Sequence, residues 1–124
     1  MPRALVVDDS ATMRKVLIRS LVACGLTEGE VVEAGDGGEA LRLFAEQTID
    51  LVLTEWNMPG KSGLELIHEI RAGGAKVPII MITTEAEKSR VIEVIRAGVT
   101  DYVIKPFTAE MLREKIEKVL GQVA

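Results

Sequence analysis

The feature that most constrains this 124-residue chain is an alternation of short apolar runs with longer amphipathic segments, repeated five times. The short runs are rich in β-branched residues and occupy positions 4–7, 31–33, 51–54, 77–82 and 102–104. They lack polar alternation, which is typical of strands buried on both faces of a parallel sheet. The pattern predicts an α/β fold, a doubly wound five-stranded parallel sheet with five helices in a three-layer sandwich.

The segments between the runs carry apolar residues at helical spacing. In the first segment Leu21 and Val22 belong to this stripe, and in the fourth it consists of Val91, Val94 and Ile95. Residues suited to begin or end helices flank the segments: Ser10 and Thr108 as N-caps, and Gly25, Gly73 and Gly98 at the ends. These signals favour helices over loops between the strands.

Composition narrows the class of protein. Hydrophobic residues make up 48% and charged residues 27% of the chain, the balance of an ordinary globular domain. A net charge of −4 argues against nucleic-acid binding, and no run approaches the roughly 20 apolar residues that cross a bilayer. We therefore expect one domain over residues 1–124, with no output domain, no membrane insertion and a cytoplasmic location.

Polar side chains follow four of the predicted strands at the point where each ends. Asp8 and Asp9 follow the first strand, Glu55 the third, Thr83 the fourth and Lys105 the fifth. Because the carboxyl ends of parallel strands meet at one edge of the sheet, near the point where strand order reverses, these groups should converge.

The residue types at this edge indicate a particular chemistry. Neighbouring carboxylates repel one another unless a cation lies among them, and carboxylate oxygens suit Mg²⁺. The Thr83 hydroxyl and the Lys105 ammonium could then bind the oxygens of an anion beside the metal. A phosphoryl group is the favoured anion, because its transfer needs positioning and charge neutralisation above all.

Several motifs resemble those of a known family over nearly the whole chain. They read VVDDS from position 6, LTEWNMPG from 53, GLEL from 63, MITTEAE from 81 and DYVIKPFT from 101. Together they resemble the response-regulator receiver domain of two-component signalling. The WNMP run, the EAE stretch and Tyr102 are most similar to its CheY-like chemotaxis regulators, which implies a flavodoxin-like fold.

The resemblance implies the ligands of a magnesium ion. Asp9 would bind Mg²⁺ directly, Asp8 would act through water, and the backbone carbonyl of Asn57 would complete the set together with Glu55. Trp56, beside these acids, would be partly exposed, so that its fluorescence could report metal binding.

The resemblance also implies a switch and partners. Thr83 would hydrogen-bond a phosphoryl group and, with Tyr102, alter the face made by the fourth helix, fifth strand and fifth helix, while Lys105 would contact the phosphoryl oxygens. A sensor histidine kinase and a downstream target protein are the expected partners. A phosphatase is a further one, at the positions of three residues: Asn57, Glu85 and Lys88.

Glu55 departs from the family, which forms an acyl phosphate on aspartate. The extra methylene moves the carboxylate outward by about 1.5 Å, and a 1 Å misplacement can slow in-line transfer about a hundredfold. The family's phosphotransfer and autodephosphorylation should therefore be impaired. Glu55 can be an introduced phosphomimetic substitution, a naturally phosphorylation-independent variant or a slow phosphoacceptor. The first is favoured, because every neighbouring residue remains suited to phosphoryl chemistry.

Two other functions compete with a non-enzymatic signalling domain. A flavodoxin-like ligand-binding or nucleotide-binding domain would be expected to carry a glycine-rich phosphate loop, but the first turn reads DDSAT. A magnesium-dependent phosphohydrolase would need an Asp-x-Asp spacing after the first strand, whereas Asp8 and Asp9 are adjacent.

Side chains outside the site receive simpler interpretations. His68 is expected to be solvated, and Met111 is assigned to packing. Basic residues on the last two helices form either a solvated face or a partner-binding face: Arg90, Arg96, Arg113, Lys115 and Lys118.

Overall fold

The computed structural model describes residues 2–84 and 88–123, and within them the alternation forms five strands and five α-helices. The strands are β1 (Ala4–Val7), β2 (Val31–Ala34), β3 (Leu51–Glu55), β4 (Ile79–Thr83) and β5 (Asp101–Ile104). The helices are α1 (Ala11–Ala23), α2 (Gly37–Glu46), α3 (Gly63–Ala72), α4 (Lys88–Ala97) and α5 (Ala109–Val123). A short 3-10 helix, Glu28–Glu30, precedes β2.

All five strands pair in parallel in the order β2-β1-β3-β4-β5. The chain runs from β1 to β2 on one side and then crosses to β3 on the other, so strand order reverses between β1 and β3. The predicted doubly wound five-stranded parallel sheet is therefore confirmed. Its reversal point lies where β1 ends before Asp8 and β3 ends at Glu55.

Side chains of the central strands alternate between two core layers. On β1, Leu5 and Val7 face the layer that includes buried residues of α2, α3 and α4, whereas Ala4 and Val6 face α1 and α5. Burial of both faces explains why these strands read as continuous apolar runs without polar alternation. Apolar packing on both sides leaves the strand ends as the place for polar chemistry.

The fourth strand is shorter at its start than predicted. The sequence pattern placed it at 77–82, but β4 begins at Ile79. Pro78 lacks an N–H and contributes only its carbonyl, which accepts a hydrogen bond from the N–H of Val52 at 2.9 Å. At its other end the strand runs one residue further than predicted, to Thr83, which pairs with Ile104 on β5.

The predicted helix signals are mostly confirmed. Ser10 accepts a hydrogen bond from the N–H of Met13, and Thr108 accepts one from that of Met111. Gly25 and Gly98 take the left-handed conformation after α1 and α4. α3 also ends at the predicted glycine, since Gly73 is its C-cap, but the left-handed conformation is taken by the next residue, Gly74, with a φ of 87°.

Several apolar residues assigned to the core stripes or to packing are exposed instead. Val22 on α1 is 40% exposed, Ile95 on α4 is 54% exposed and Met111 on α5 is 50% exposed. On each of these helices the apolar residues span a wider face than the face that neighbouring elements cover.

Among the described residues, no helix combines the length and the apolar content needed to cross a membrane.

The start of α3 is packed against the end of β3. The N–H of Gly63 donates to the carbonyl of Trp56 at 2.8 Å, and a Cβ atom at Gly63 would collide with the carbonyl oxygen of Glu55. The absence of a side chain at position 63 therefore allows α3 to approach the residues that end β3.

We predict that Gly63→Ala lowers the free energy of unfolding by about 1–3 kcal/mol, the usual effect of overpacking. Gly29→Ala is the matched control, because a Cβ atom at Gly29 would meet nothing within 4 Å. Urea denaturation of both variants checks the prediction. Equal stabilities of the two variants would contradict it.

Candidate functional site

Three hydrogen bonds fix the acid after β1. The Asp8 N–H donates to the carbonyl of Ala34, and the Asp8 carbonyl accepts from Nη1 of Arg14 at 2.6 Å. Its Oδ1 accepts from the N–H of Ser10 at 2.9 Å. Asp8 is only 2% exposed, so its remaining oxygen, Oδ2, has a fixed direction into the site.

The acid at the end of β3 contacts the lysine that follows β5. Oε2 of Glu55 lies 2.5 Å from Nζ of Lys105, and Oε1 accepts a hydrogen bond from the N–H of Asn57 at 3.3 Å. Nζ of Lys105 is also 3.6 Å from Oδ2 of Asp8. One ammonium therefore lies between two buried carboxylates, as expected for three strand ends that meet at one edge.

Neither inward-facing carboxylate oxygen is satisfied by hydrogen bonding. Oδ2 of Asp8 and Oε2 of Glu55 are buried and accept no hydrogen bond, and Lys105 faces both of them as an ion-pair partner. Two carboxylates and one ammonium leave a formal excess of one negative charge when all are ionised. A cation could reduce this excess and bind the unsatisfied oxygens.

Burial raises the pKa of Asp8 above its ordinary value of 3.8. The hydrogen bond from Ser10 and the charge of Lys105 oppose this effect, whereas the charges of Glu55 and Asp9 add to it. Desolvation is the largest cause, because a buried carboxylate loses more solvation than its partners restore. The pKa shift agrees with the unsatisfied Oδ2 atom.

The other predicted ligands lie at the solvent-exposed rim of the site formed by Asp8 and Glu55. Asp9 and Asn57 are exposed, and within the described residues no group of three His, Cys, Asp or Glu side chains is arranged to hold a metal. Mg²⁺ needs only one or two direct carboxylates and keeps several waters. Oδ2 of Asp8 and Oε2 of Glu55, which face Lys105, are oxygens of the kind that such an ion binds.

The predicted switch residues lie beside this edge. Thr83 is the last residue of β4 and 2% exposed, and its carbonyl accepts a hydrogen bond from the N–H of Lys105 at 2.8 Å. Tyr102 lies on β5, paired with Met81, and its half-buried side chain packs against the core layer of α2, α3 and α4. Glu85 and the Lys88 side chain lie outside the described residues.

One expectation about the site is wrong. Trp56 is buried, at 3% exposed, and not partly exposed as the resemblance implied. The guanidinium of Arg90 on α4 covers its ring, with 4.3 Å from Cζ to the ring centroid. The sequence assigns Arg90 to a solvated or partner-binding face instead. Helical or strand periodicity cannot predict this contact, because the two residues are 34 positions apart.

Other side-chain interpretations have mixed outcomes. His68 is exposed, as predicted. Lys115, from the same basic group as Arg90, pairs with Asp101 on β5 at 3.0 Å. The sequence reasoning also missed Arg14, which links the Asp8 carbonyl to Glu33 on β2. Its position in the first turn of α1 was the only available signal.

We predict that Asp8→Asn increases the free energy of unfolding at pH 7 by about 1 kcal/mol, because it removes a buried charge whose desolvation outweighs the compensation from Ser10 and Lys105. The folded-state pKa is raised, so the native protein holds this proton more firmly than the unfolded chain does. Stability relative to Asp8→Asn should fall as pH rises from 3.8 through the higher folded-state pKa. Urea denaturation at several pH values checks this, and a constant difference between the proteins would contradict it.

Comparison with known proteins agrees with this geometry. Residues 4–117 match the family described as "Response regulator receiver domain". The chain is 42% identical over 123 residues to "Chemotaxis protein CheY" of Pseudomonas aeruginosa, covering 98% of each chain. It is 45% identical over 122 residues to "Chemotaxis protein CheY1" of Helicobacter pylori, covering 96% of this chain and 97% of that protein.

Solved structures agree as well. Chemotaxis response regulator CheY4 of Vibrio cholerae has a TM-score of 0.86 at 32% identity, with 96% of this chain and 98% of that chain covered. The receiver domain of Francisella response regulator 1452 has a TM-score of 0.90 at 25% identity, with both chains fully covered. These neighbours do not favour the phosphohydrolase or nucleotide-binding alternatives. The chain belongs to the response regulator receiver domain family and is similar to CheY.

Proposed function

We propose that this chain is a CheY-like response regulator that signals by protein–protein interaction and whose Glu55 substitutes for the phosphoacceptor aspartate. The ion pair between Oε2 of Glu55 and Nζ of Lys105, at 2.5 Å, carries the proposal. The resemblance assigns this lysine to the oxygens of a bound phosphoryl group. In this chain its ammonium neutralises a carboxylate of the protein itself.

The pair opposes phosphotransfer for two reasons. The carboxylate of Glu55 is displaced from the aspartate position by about one bond length, and in-line transfer tolerates little misplacement. In addition, an incoming phosphoryl group would have to compete with Glu55 for Lys105. The family's phosphotransfer and autodephosphorylation are therefore impaired, and the domain does not act as an enzyme.

The same pair imitates part of the phosphorylated state. It supplies negative charge next to Lys105, beside the end of β4 where Thr83 lies. The imitation is incomplete, since a carboxylate has one charge and two oxygens while a phosphoryl group has nearly two charges and three oxygens. We infer a phosphorylation-independent receiver, whether the glutamate is natural or introduced.

The proposal also includes the protein partners that receivers of this family are expected to bind. A sensor histidine kinase would dock near the acid site, and a target protein would bind the face of α4, β5 and α5 around Tyr102. Relatives named as chemotaxis proteins are covered to 92% or more of their length, which supports a CheY-like receiver. A phosphatase would approach Asn57 at the rim, and the net charge of −4 disfavours nucleic acid.

We expect no hydroxylamine-labile phosphate adduct when the protein is incubated with acetyl phosphate and Mg²⁺, as measured by intact-protein mass spectrometry. Glu55→Asp, which restores the family's acid, should acquire one phosphate, and Glu55→Gln should acquire none. A stoichiometric adduct on the Glu55 protein would overturn the proposed block of phosphotransfer.

We also propose that Asp8 and Glu55, with Asp9 and Asn57 at the rim, bind Mg²⁺ in competition with Lys105. In Lys105→Met the ammonium is absent, so Mg²⁺ is no longer repelled by a second positive charge in the same site. We expect Mg²⁺ to bind this variant about tenfold more tightly. Isothermal titration calorimetry measures the affinity, with circular dichroism to establish that the variant is folded. Lys115→Met is the control, because Lys115 pairs with Asp101 instead. Weaker binding in the folded Lys105→Met variant would contradict this competition.

A further inference from the structure

Trp56 connects the acid site with the layer of helices beside it. It follows Glu55 directly, and its ring belongs to the same core cluster as Val94 and Ala97 of α4. Its backbone carbonyl is held by the N–H of Gly63 at 2.8 Å. The ring is therefore attached to a fixed backbone one residue from the site, and it extends toward a different helix.

The first half of α4 reaches this ring through an arginine. Arg90 lies one helical turn before Val94 and thus on the same side of the helix, with its Cζ atom 4.3 Å from the centroid of Trp56. A guanidinium over the face of an indole ring is attracted by the ring quadrupole, within the roughly 6 Å at which this interaction operates. The side chain of Arg90 also lies 3.8 Å from Glu93, which helps to orient it.

The two halves of α4 are anchored differently. Near its end, Val94 and Ala97 are buried, and Nε of Arg71 donates to the carbonyl of Gly98 at 3.0 Å. Between positions 89 and 93 no side chain is buried. The stacking of Arg90 on Trp56 is therefore a contact that holds the less buried half of the helix close to the acid site.

We propose that Arg90 is a positioning residue that couples the acid site to α4 through its contact with Trp56. When the Glu55–Lys105 pair is intact, the segment from Glu55 to Asn57 is held and Trp56 presents its face to Arg90. When the pair is broken, this segment loosens and the first half of α4 loosens with it. The outer side of α4 carries the exposed Ile92 and Ile95, so the coupling would alter an apolar surface.

The contact itself can be tested by fluorescence, because Trp56 is the only tryptophan in the chain. In Arg90→Ala we expect a red-shifted emission and an acrylamide quenching constant raised by about two- to fivefold, as the loss of a cation–π contact implies. Arg90→Lys, which keeps the cation, should restore most of the protection. Arg96→Ala is the control, since Arg96 is an exposed basic residue of the same helix. Unchanged quenching in Arg90→Ala would overturn the proposal.

The coupling is tested by breaking the acid pair with and without the arginine. Glu55→Gln should accelerate amide hydrogen exchange in α4 by a few-fold in the Arg90 protein. In the Arg90→Ala background exchange is already fast, and Glu55→Gln should add little. Equal acceleration in both backgrounds would overturn the coupling. This inference rests on the proposed importance of the Glu55–Lys105 pair, yet its experiment uses no phosphodonor or metal, so its failure is distinguishable from that of the phosphorylation test.

Discussion

The structure depends on placing one ammonium between two carboxylates at the reversal point of a parallel sheet. Asp8 and Glu55 end neighbouring strands, and both are almost fully buried. Buried carboxylates at close range are unfavourable unless a cation compensates them. Lys105 supplies that charge. Its backbone is positioned by a hydrogen bond from its N–H to the carbonyl of Thr83.

The surrounding fold supports this arrangement by restricting backbone movement. Asp8 uses its N–H, its carbonyl and Oδ1 in hydrogen bonds, so only Oδ2 remains to respond to its surroundings. Glu55 is restricted by Gly63, whose lack of a side chain lets α3 pack directly on the end of β3. The acids are therefore rigid, and the lysine, whose side chain is 21% exposed, is the partner that can respond to a cation or an anion.

Sequence reasoning predicted the sheet and the convergence of the site but not its side-chain contacts. Continuous β-branched runs identify buried parallel strands, and the residue after each strand must lie at the same edge. The start of β4 was predicted too early because the apolar run includes Pro78, which cannot donate to the ladder. Ile95 was assigned to the core because helical spacing indicates a face without indicating how far neighbouring elements cover it. The contact of Arg90 with the Trp56 ring depends on the conformations of two side chains on separate elements, and no local sequence pattern predicts it.

On the proposed function, a glutamate at position 55 changes what can control the domain. In the proposed mechanism, an aspartate-bearing receiver gains additional negative charge beside the lysine from a phosphodonor, so its state follows the supply of phosphate. In this chain the charge beside Lys105 belongs to the fold and is present whenever Glu55 is ionised. If Glu55 blocks phosphotransfer as proposed, control would come from something that competes for the same ammonium or the same carboxylates, or that alters the contact between Trp56 and Arg90 from the side of α4. A binding partner on α4 satisfies the last condition without phosphate, because coupling between two sites is reciprocal. Such a partner would stabilise the acid site by the same free energy with which the intact site favours the partner.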